Sequence, residues 1–196
     1  MNLDNVCHCS IEALQTMSEL QNIQAVVDVE TILDLVHRIC QQGTVMVQCK
    51  DCIKTPQSSI ATLPALSEQC LPLLEALCSA YDICIQPGFF DSAMLAYEQP
   101  PSPYICIRSK VVLGKTELDE NETRLLVRTL LARGVIRLVE LMESLKGVLQ
   151  LLIESSSSPR NGTALRACES SADSTISRLM VLLQVIESEC VATPLA

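Results

Sequence analysis

The sequence predicts an all-α protein: a helical bundle of about five to six helices, with one long heptad-patterned helix and one long proline-rich loop. Of the 196 residues, 48% are hydrophobic, which is enough to build a buried core. These residues recur at steps of three and four along most of the chain, as on one face of a helix. Only one short run alternates as a strand does, and an isolated strand cannot make a sheet.

Two helices are predicted near the amino terminus. The first extends from Cys9 to Leu20. Its apolar side chains follow three-residue steps, at Ile11, Leu14, Met17 and Leu20. The second helix begins at Asp28, because a carboxylate at that position can cap a helix start, and it continues past Gly43 to Val47. A polar loop over 48–52 ends it.

A third helix is predicted between Leu63 and Tyr81, where leucines again follow a helical period. Pro72 lies inside this helix, and since proline lacks a backbone N–H it should kink the helix or split it in two. An irregular loop over 82–118 follows and is rich in proline and glycine. The alternating run from Ile105 to Leu113 lies within this loop.

The strongest signal is a long helix that begins at Asp119. Asp119 and Glu122 have the spacing of a reciprocal cap, and acidic residues suit the positive end of a helix dipole. Apolar positions then alternate by four and three over more than three heptads. We call these positions the heptad seam: Val127, Leu131, Gly134, Leu138, Leu141, Leu145, Val148 and Leu152. The seam is either the internal core of a bundle or an interface for a partner helix or second copy.

Three segments follow from this pattern. A helical regulatory domain is predicted over 1–154, and a polar linker, rich in serine, over 155–162. A last helix within 163–196 carries a weaker apolar seam. Because the linker is short, we expect this helix to pack back on the bundle as an antiparallel hairpin.

The eleven cysteines are odd in number and irregularly spaced. No secretory signal opens the chain, so composition indicates an intracellular protein in which disulfides are unexpected and most cysteines are buried thiols. Cys49 and Cys52 have the spacing of zinc sites and redox dithiols. No second close pair follows them, and Cys7 and Cys9 are a weak ligand pair because such near neighbours seldom surround one tetrahedral ion. We therefore predict no metal site and no cofactor, and a possible redox pair at Cys49 and Cys52.

Several classes of function are excluded by composition and motif. A net charge of −9 repels phosphate, so no direct binding of nucleic acid by this chain is expected. Every leucine-rich stretch is interrupted by polar residues, which argues against a membrane span. Two histidines and the lack of nucleotide or hydrolase motifs predict no catalytic residues and no enzyme activity. A protein partner or a homodimer is expected instead.

The chain resembles the C-terminal regulatory region of fungal binuclear zinc-cluster transcription factors of the aflatoxin-regulator type. The similarity is spread over about residues 7–150, without an invariant chemical signature. It consists of these features: Cys7-His8-Cys9 before a leucine-patterned helix, the Leu33-Asp34 helix ending at Gln48-Cys49-Lys50-Asp51-Cys52, the Leu73–Tyr81 helix, and Leu113-Gly114, Leu118-Asp119 and Glu122 before the long helix.

The resemblance implies a nuclear regulator of a secondary-metabolite gene cluster that acts by protein contacts. The chain departs from complete family members because their six-cysteine zinc cluster, with its interleaved basic residues, is absent. Zinc and DNA binding are therefore carried over to no residue here, and DNA would be bound only through a zinc-cluster region that this sequence lacks. The chain is either the regulatory part of a longer protein or a relative without the DNA-binding part. The alternatives are a stand-alone helical interaction protein and a thiol redox sensor using Cys49 and Cys52.

Overall fold

A computed structural model describes residues 7–83, 103–155 and 159–188. These residues form six α-helices and four short strands, which confirms the predicted all-α helical bundle. The elements are α1 (Cys9–Gln21), β1 (Val26–Asp28), α2 (Val29–Gln48), α3 (Lys50–Lys54), α4 (Leu63–Ala80), β2 (Ile105–Ile107), β3 (Val112–Leu113), β4 (Thr116–Glu117), α5 (Glu120–Ser155) and α6 (Pro159–Ser188). None of the described helices combines the length and the apolar character that a membrane span needs.

The two predicted helix starts are confirmed. The Asp28 carboxylate accepts a hydrogen bond from the backbone N–H of Thr31 at 2.7 Å, which caps α2. At the start of α5, the backbone N–H of Glu122 donates to Asp119 Oδ1 at 2.8 Å. The backbone N–H of Asp119 donates in return to Glu122 Oε2 at 2.9 Å, which completes a reciprocal capping box.

Helices α5 and α6 form an antiparallel hairpin that is the largest interface of the fold. Arg128, near the start of α5, donates from Nε to the carbonyl of Ile186 near the end of α6, at 2.8 Å. Lys146, further along α5, pairs with Asp173 of α6 at 2.7 Å. The other face of the hairpin packs against α2 and α4, so the core lies between these four helices.

The structure places the heptad seam inside this core. The buried members are Val127, Leu131, Leu138, Leu141 and Leu145, while Val148 and Leu152, toward the end of α5, are half-buried. At Gly134, an added Cβ would lie 3.3 Å from Val36 Cγ1, so α2 approaches α5 closely there. The seam is therefore occupied by helices of the same chain.

Helix α1 forms where it was predicted but buries a different face. Ile11 and Leu14 are 55% and 61% exposed, whereas Ala13, Thr16 and Leu20 are buried. The small side chains of Ala13 and Thr16 allow α1 to approach α2, and the Thr16 hydroxyl donates to Gln42 Oε1 at 2.8 Å. The buried face of α1 is therefore determined by the small residues that allow close approach to α2. The larger Ile11 and Leu14 do not determine it.

Pro72 does not split its helix, because α4 is continuous from Leu63 to Ala80. Proline lacks a backbone donor and its ring crowds the preceding turn, but the leucines on both sides of it, Leu71 and Leu73, are fully buried in the core. Packing of α4 against its neighbours therefore outweighs the one hydrogen bond that proline cannot make.

The predicted irregular loop over 82–118 contains three short strands that were not predicted as paired, at Ile105–Ile107, Val112–Leu113 and Thr116–Glu117. Strand β2 pairs in parallel with β1, with Val26 opposite Ile105. Strands β3 and β4 pair antiparallel across a turn in which Gly114 has a positive φ of 67°, a conformation that glycine adopts without strain. The proline-rich part of the predicted loop lies mostly outside the described residues.

The described residues of the predicted linker, 155 and 159–162, are helical, while 156–158 lie outside the described residues. Helix α5 extends to Ser155, and α6 begins at Pro159 rather than at Thr163. Proline suits the first position of a helix because the N–H there has no partner within the helix. The predicted hairpin of α5 and the last helix is present, and residues 189–196 lie outside the described residues.

Candidate functional site

The structure places Cys49 and Cys52 at the junction between α2 and α3. Cys49 is the residue that precedes α3, and Cys52 lies within that short helix. Cys52 is only 1% exposed, whereas Cys49 is partly exposed. The hydroxyl of the buried Ser59 donates to the carbonyl of Cys52 at 2.8 Å, which holds this turn of the chain in place.

Cys7 and Cys9 lie beside this pair, on the two sides of a bend at His8 where α1 begins. The sulfur atoms of Cys7, Cys9, Cys49 and Cys52 all lie within 4.8 Å of one another, and we call these residues the four-cysteine cluster. The Sγ atoms of Cys7 and Cys52 are 3.6 Å apart. The His8 side chain is exposed and is not a member.

The structure shows that the sequence-based reason for expecting no metal site is insufficient. No cysteine pair follows Cys52 at a suitable spacing, but a pair precedes it far earlier in the chain, at Cys7 and Cys9. Near neighbours in sequence do converge here, because the chain bends between them. The signal in the sequence was present as two close cysteine pairs, each of them weak when considered alone.

The thiols of the cluster differ in acidity. The backbone N–H groups of Cys52 and Asp51 point to the Cys49 sulfur and lower the pKa of Cys49 to about 7. Burial raises the pKa of Cys52 and of Cys9. Of these three thiols, Cys49 therefore ionises most readily. Four converging thiols of this kind can hold a metal ion as thiolates.

A second feature is an open groove of about 510 Å³ on the outer side of the α5–α6 hairpin. Its lining residues are Leu125, Arg128, Thr129, Ala132, Arg133, Ile136, Arg137, Glu140, Ile186 and Glu187. Leu125 is 63% exposed and Ile136 is 39% exposed. One stripe along α5, adjacent to the buried seam, begins at Leu125. It continues at Thr129, Ala132 and Ile136, which follow Leu125 by four, seven and eleven residues.

The charges around this groove are mixed but predominantly basic. Arg128, Arg133 and Arg137 line it with Glu140 and Glu187, in a chain whose net charge is −9. Arg128 is fixed by its bond to the end of α6. Arg137 Nη1 lies 3.3 Å from His37 Nδ1 of α2, so Arg137 also contacts the neighbouring helix.

These features define an all-helical bundle with a four-cysteine cluster at the start of α1 and an apolar, arginine-rich groove on its long hairpin. Comparison of the chain with protein-family models, with curated proteins and with solved structures finds no match.

Proposed function

We propose that this chain is the helical regulatory module of a fungal zinc-cluster transcription factor of the aflatoxin-regulator type, which acts in the nucleus on a secondary-metabolite gene cluster through protein contacts. The resemblance described above supports the family, and the helical bundle with a net negative charge is consistent with a module that binds protein rather than DNA. DNA contact would come from a zinc-cluster region that is absent from this sequence.

The observation that carries the proposal is the groove on the α5–α6 hairpin. Its apolar stripe repeats with helical spacing, and the large side chains of Leu125 and Ile136 are exposed without a partner in the described part of the chain. Such a stripe accepts the apolar face of an amphipathic helix. The occupant that we propose is therefore a helix of a partner protein.

Charge indicates what kind of helix fits. Three arginines and two glutamates line the groove, so basic side chains outnumber acidic ones. A partner helix with acidic residues along its edges would therefore be complementary in charge. Arginine is also the basic residue best suited to paired hydrogen bonds with carboxylates. The partner helix would place apolar residues against Leu125 and Ile136 and acidic residues against Arg133 and Arg137.

The test is a tethering experiment in a fungal host. The whole chain is fused to an unrelated DNA-binding domain, and the output of a reporter gene with the matching DNA site is measured. The wild-type chain is expected to change reporter output, and Ile136→Glu is expected to abolish the change because it places a carboxylate in the groove. The matched control is Leu151→Glu, which alters a leucine on the same helix that is 68% exposed and outside the groove.

An unchanged reporter with the wild-type fusion contradicts the regulatory function. Equal loss with Ile136→Glu and Leu151→Glu contradicts the role of the groove. Light scattering of the purified chain distinguishes the occupant: a wild-type dimer that Ile136→Glu converts to a monomer would mean that a second copy, and not an acidic partner helix, fills the groove.

One observation favours a second candidate, a thiol redox sensor. The lowered pKa of Cys49 makes its sulfur a nucleophile near neutral pH, and Cys52 is close enough to be the resolving thiol. This function requires that Cys49 and Cys52 form a disulfide under a mild oxidant such as a peroxide, and that a dithiol reverses it.

A further inference from the structure

The four-cysteine cluster differs from the other cysteines that the structure describes. Cys40, Cys70, Cys78 and Cys168 on helices and Cys106 on β2 are all buried, where a thiol acts as a small apolar side chain. Cys7, Cys9 and Cys49 are partly exposed, and they converge with Cys52 from two distant segments. Packing alone gives no reason to gather four thiols at one partly exposed point.

The distances fit a single tetrahedral ion. Zinc–sulfur bonds of about 2.3 Å set ligand sulfurs about 3.8 Å apart in a regular tetrahedron. The Sγ atoms of Cys7 and Cys52 are 3.6 Å apart, and all four sulfurs lie within 4.8 Å of one another. A disulfide needs about 2.05 Å, so this is not a set of two bonded pairs. We propose that Cys7, Cys9, Cys49 and Cys52 bind one structural zinc ion as four thiolates.

The segment around Cys49 is built as such a ligand turn. The backbone N–H groups of Asp51 and Cys52 favour the charged form of the Cys49 sulfur, as they would favour a thiolate ligand. Ser59, which is buried, holds the carbonyl of Cys52 and so fixes the orientation of the second ligand. Lys50 is exposed between the two cysteines, and its charge partly offsets that of a four-thiolate site.

The proton balance follows from this ligand set. On binding, the thiols that still carry protons release them to solvent and the dication receives four thiolates, so that the site carries a charge of −2. Neither the metal nor the sulfurs change oxidation state, and no further reactant is needed. Binding therefore strengthens as pH rises and weakens as the thiols are protonated.

The proposed zinc site lies where an ion would attach α1 to the rest of the bundle. Helix α1 is weakly anchored, since it buries only Ala13, Thr16 and Leu20 and leaves Ile11 and Leu14 exposed. An ion shared by Cys9 at its start and by Cys49 after α2 joins two segments that are far apart in sequence. It would hold α1 against the bundle in place of the apolar contacts that this helix lacks.

The experiment measures metal content of the whole chain, purified under reducing conditions, by inductively coupled plasma mass spectrometry. We expect about one zinc ion per chain, and its loss in Cys7→Ser and in Cys49→Ser. Two variants serve as controls and should keep the ion: His8→Ala, in the same turn but exposed, and Cys168→Ser, in the core of the hairpin. Cobalt substitution should give the visible absorption of a tetrahedral thiolate site.

A second measurement separates ligand loss from misfolding. In Cys7→Ser, a partly exposed position, circular dichroism should show that most helix remains, while limited proteolysis should become faster at residues 22–25 after α1. Three results would overturn the proposal: wild-type chain that neither contains nor takes up zinc, zinc retained in full by Cys7→Ser, or four thiols that react equally fast with and without zinc. None of these outcomes depends on the groove or on the proposed regulatory function.

Discussion

At the scale of single residues, Cys49 shows how backbone geometry changes side-chain chemistry. Its pKa is lowered to about 7 because two backbone N–H groups point to its sulfur, although burial alone would raise the pKa. Cys168, by contrast, lies in the core, where burial raises the pKa of its thiol. The same residue type is therefore expected to be more reactive at Cys49 than at Cys168.

We expect this difference to appear in the pH dependence of alkylation in the metal-free chain. Because the pKa of Cys49 is lowered, its thiolate should be populated above about pH 7, and its reaction with iodoacetamide should slow as pH falls below that value. Cys168 should react slowly over the same range. Mass spectrometry of peptides after short reaction times measures both sites, and a Cys49 midpoint near that of a free thiol would contradict the assignment and weaken the redox candidate.

At the scale of elements, the approach of α2 to α5 depends on Gly43. A Cβ added there would overlap the side chain of Leu141 and would lie 2.8 Å from its Cδ1 atom. Leu141 is 3% exposed and part of the core, so it has little space to move. The glycine is therefore a packing requirement of the interface, even though glycine is a poor helix former.

We expect Gly43→Ala to destabilise the protein. Overpacking costs about 1 to 3 kcal/mol, which exceeds the gain of roughly 1 kcal/mol from higher helix propensity. Gly147→Ala on α5 is the matched control: nothing lies within 4 Å of an added Cβ there, so a gain of about 0.5 to 1 kcal/mol is expected. Urea unfolding followed by circular dichroism measures both. A more stable Gly43→Ala would mean that Leu141 can move aside.

At the scale of the whole molecule, the heptad seam is satisfied within one chain. Leu131, Leu138 and Leu145 are fully buried in the core shared with α2, α4 and α6, so this central part of the seam has no surface left for a second copy. The exposed apolar stripe that includes Leu125 and Ile136 lies on the neighbouring face of α5. Core and candidate interface therefore use different faces of the same helix.

Leu138→Glu is accordingly expected to unfold the protein rather than to dissociate a dimer. A carboxylate at a fully buried position should cost about 4 kcal/mol or more, a large part of the stability of a typical domain. Leu151→Glu, on the exposed surface of the same helix, should remain folded. Circular dichroism with light scattering measures both variants. If the wild type is a dimer and the Leu138→Glu chain is a folded monomer, the seam joins two copies instead.

Local patterns in the sequence were sufficient to predict much of the helical fold. Asp28 and the Asp119–Glu122 pair mark helix starts because a cap is satisfied within a few residues, and the period along α5 predicts which side of that helix is apolar. The same reasoning was wrong for α1, where helical spacing alone could not show that Ala13 and Thr16 would provide the closer contact.

What the sequence by itself determined is therefore the class of fold, the capped starts of α2 and α5 and the buried side of α5, since these depend on residues within one or two turns of each other. Only the tertiary structure decided that β1 pairs with β2, that α2 passes against Gly134, and that Cys7 and Cys9 meet Cys49 and Cys52. Each of these contacts joins segments that are distant in the chain. Local propensity carries no information about such contacts, because they depend on how the helices pack together in three dimensions.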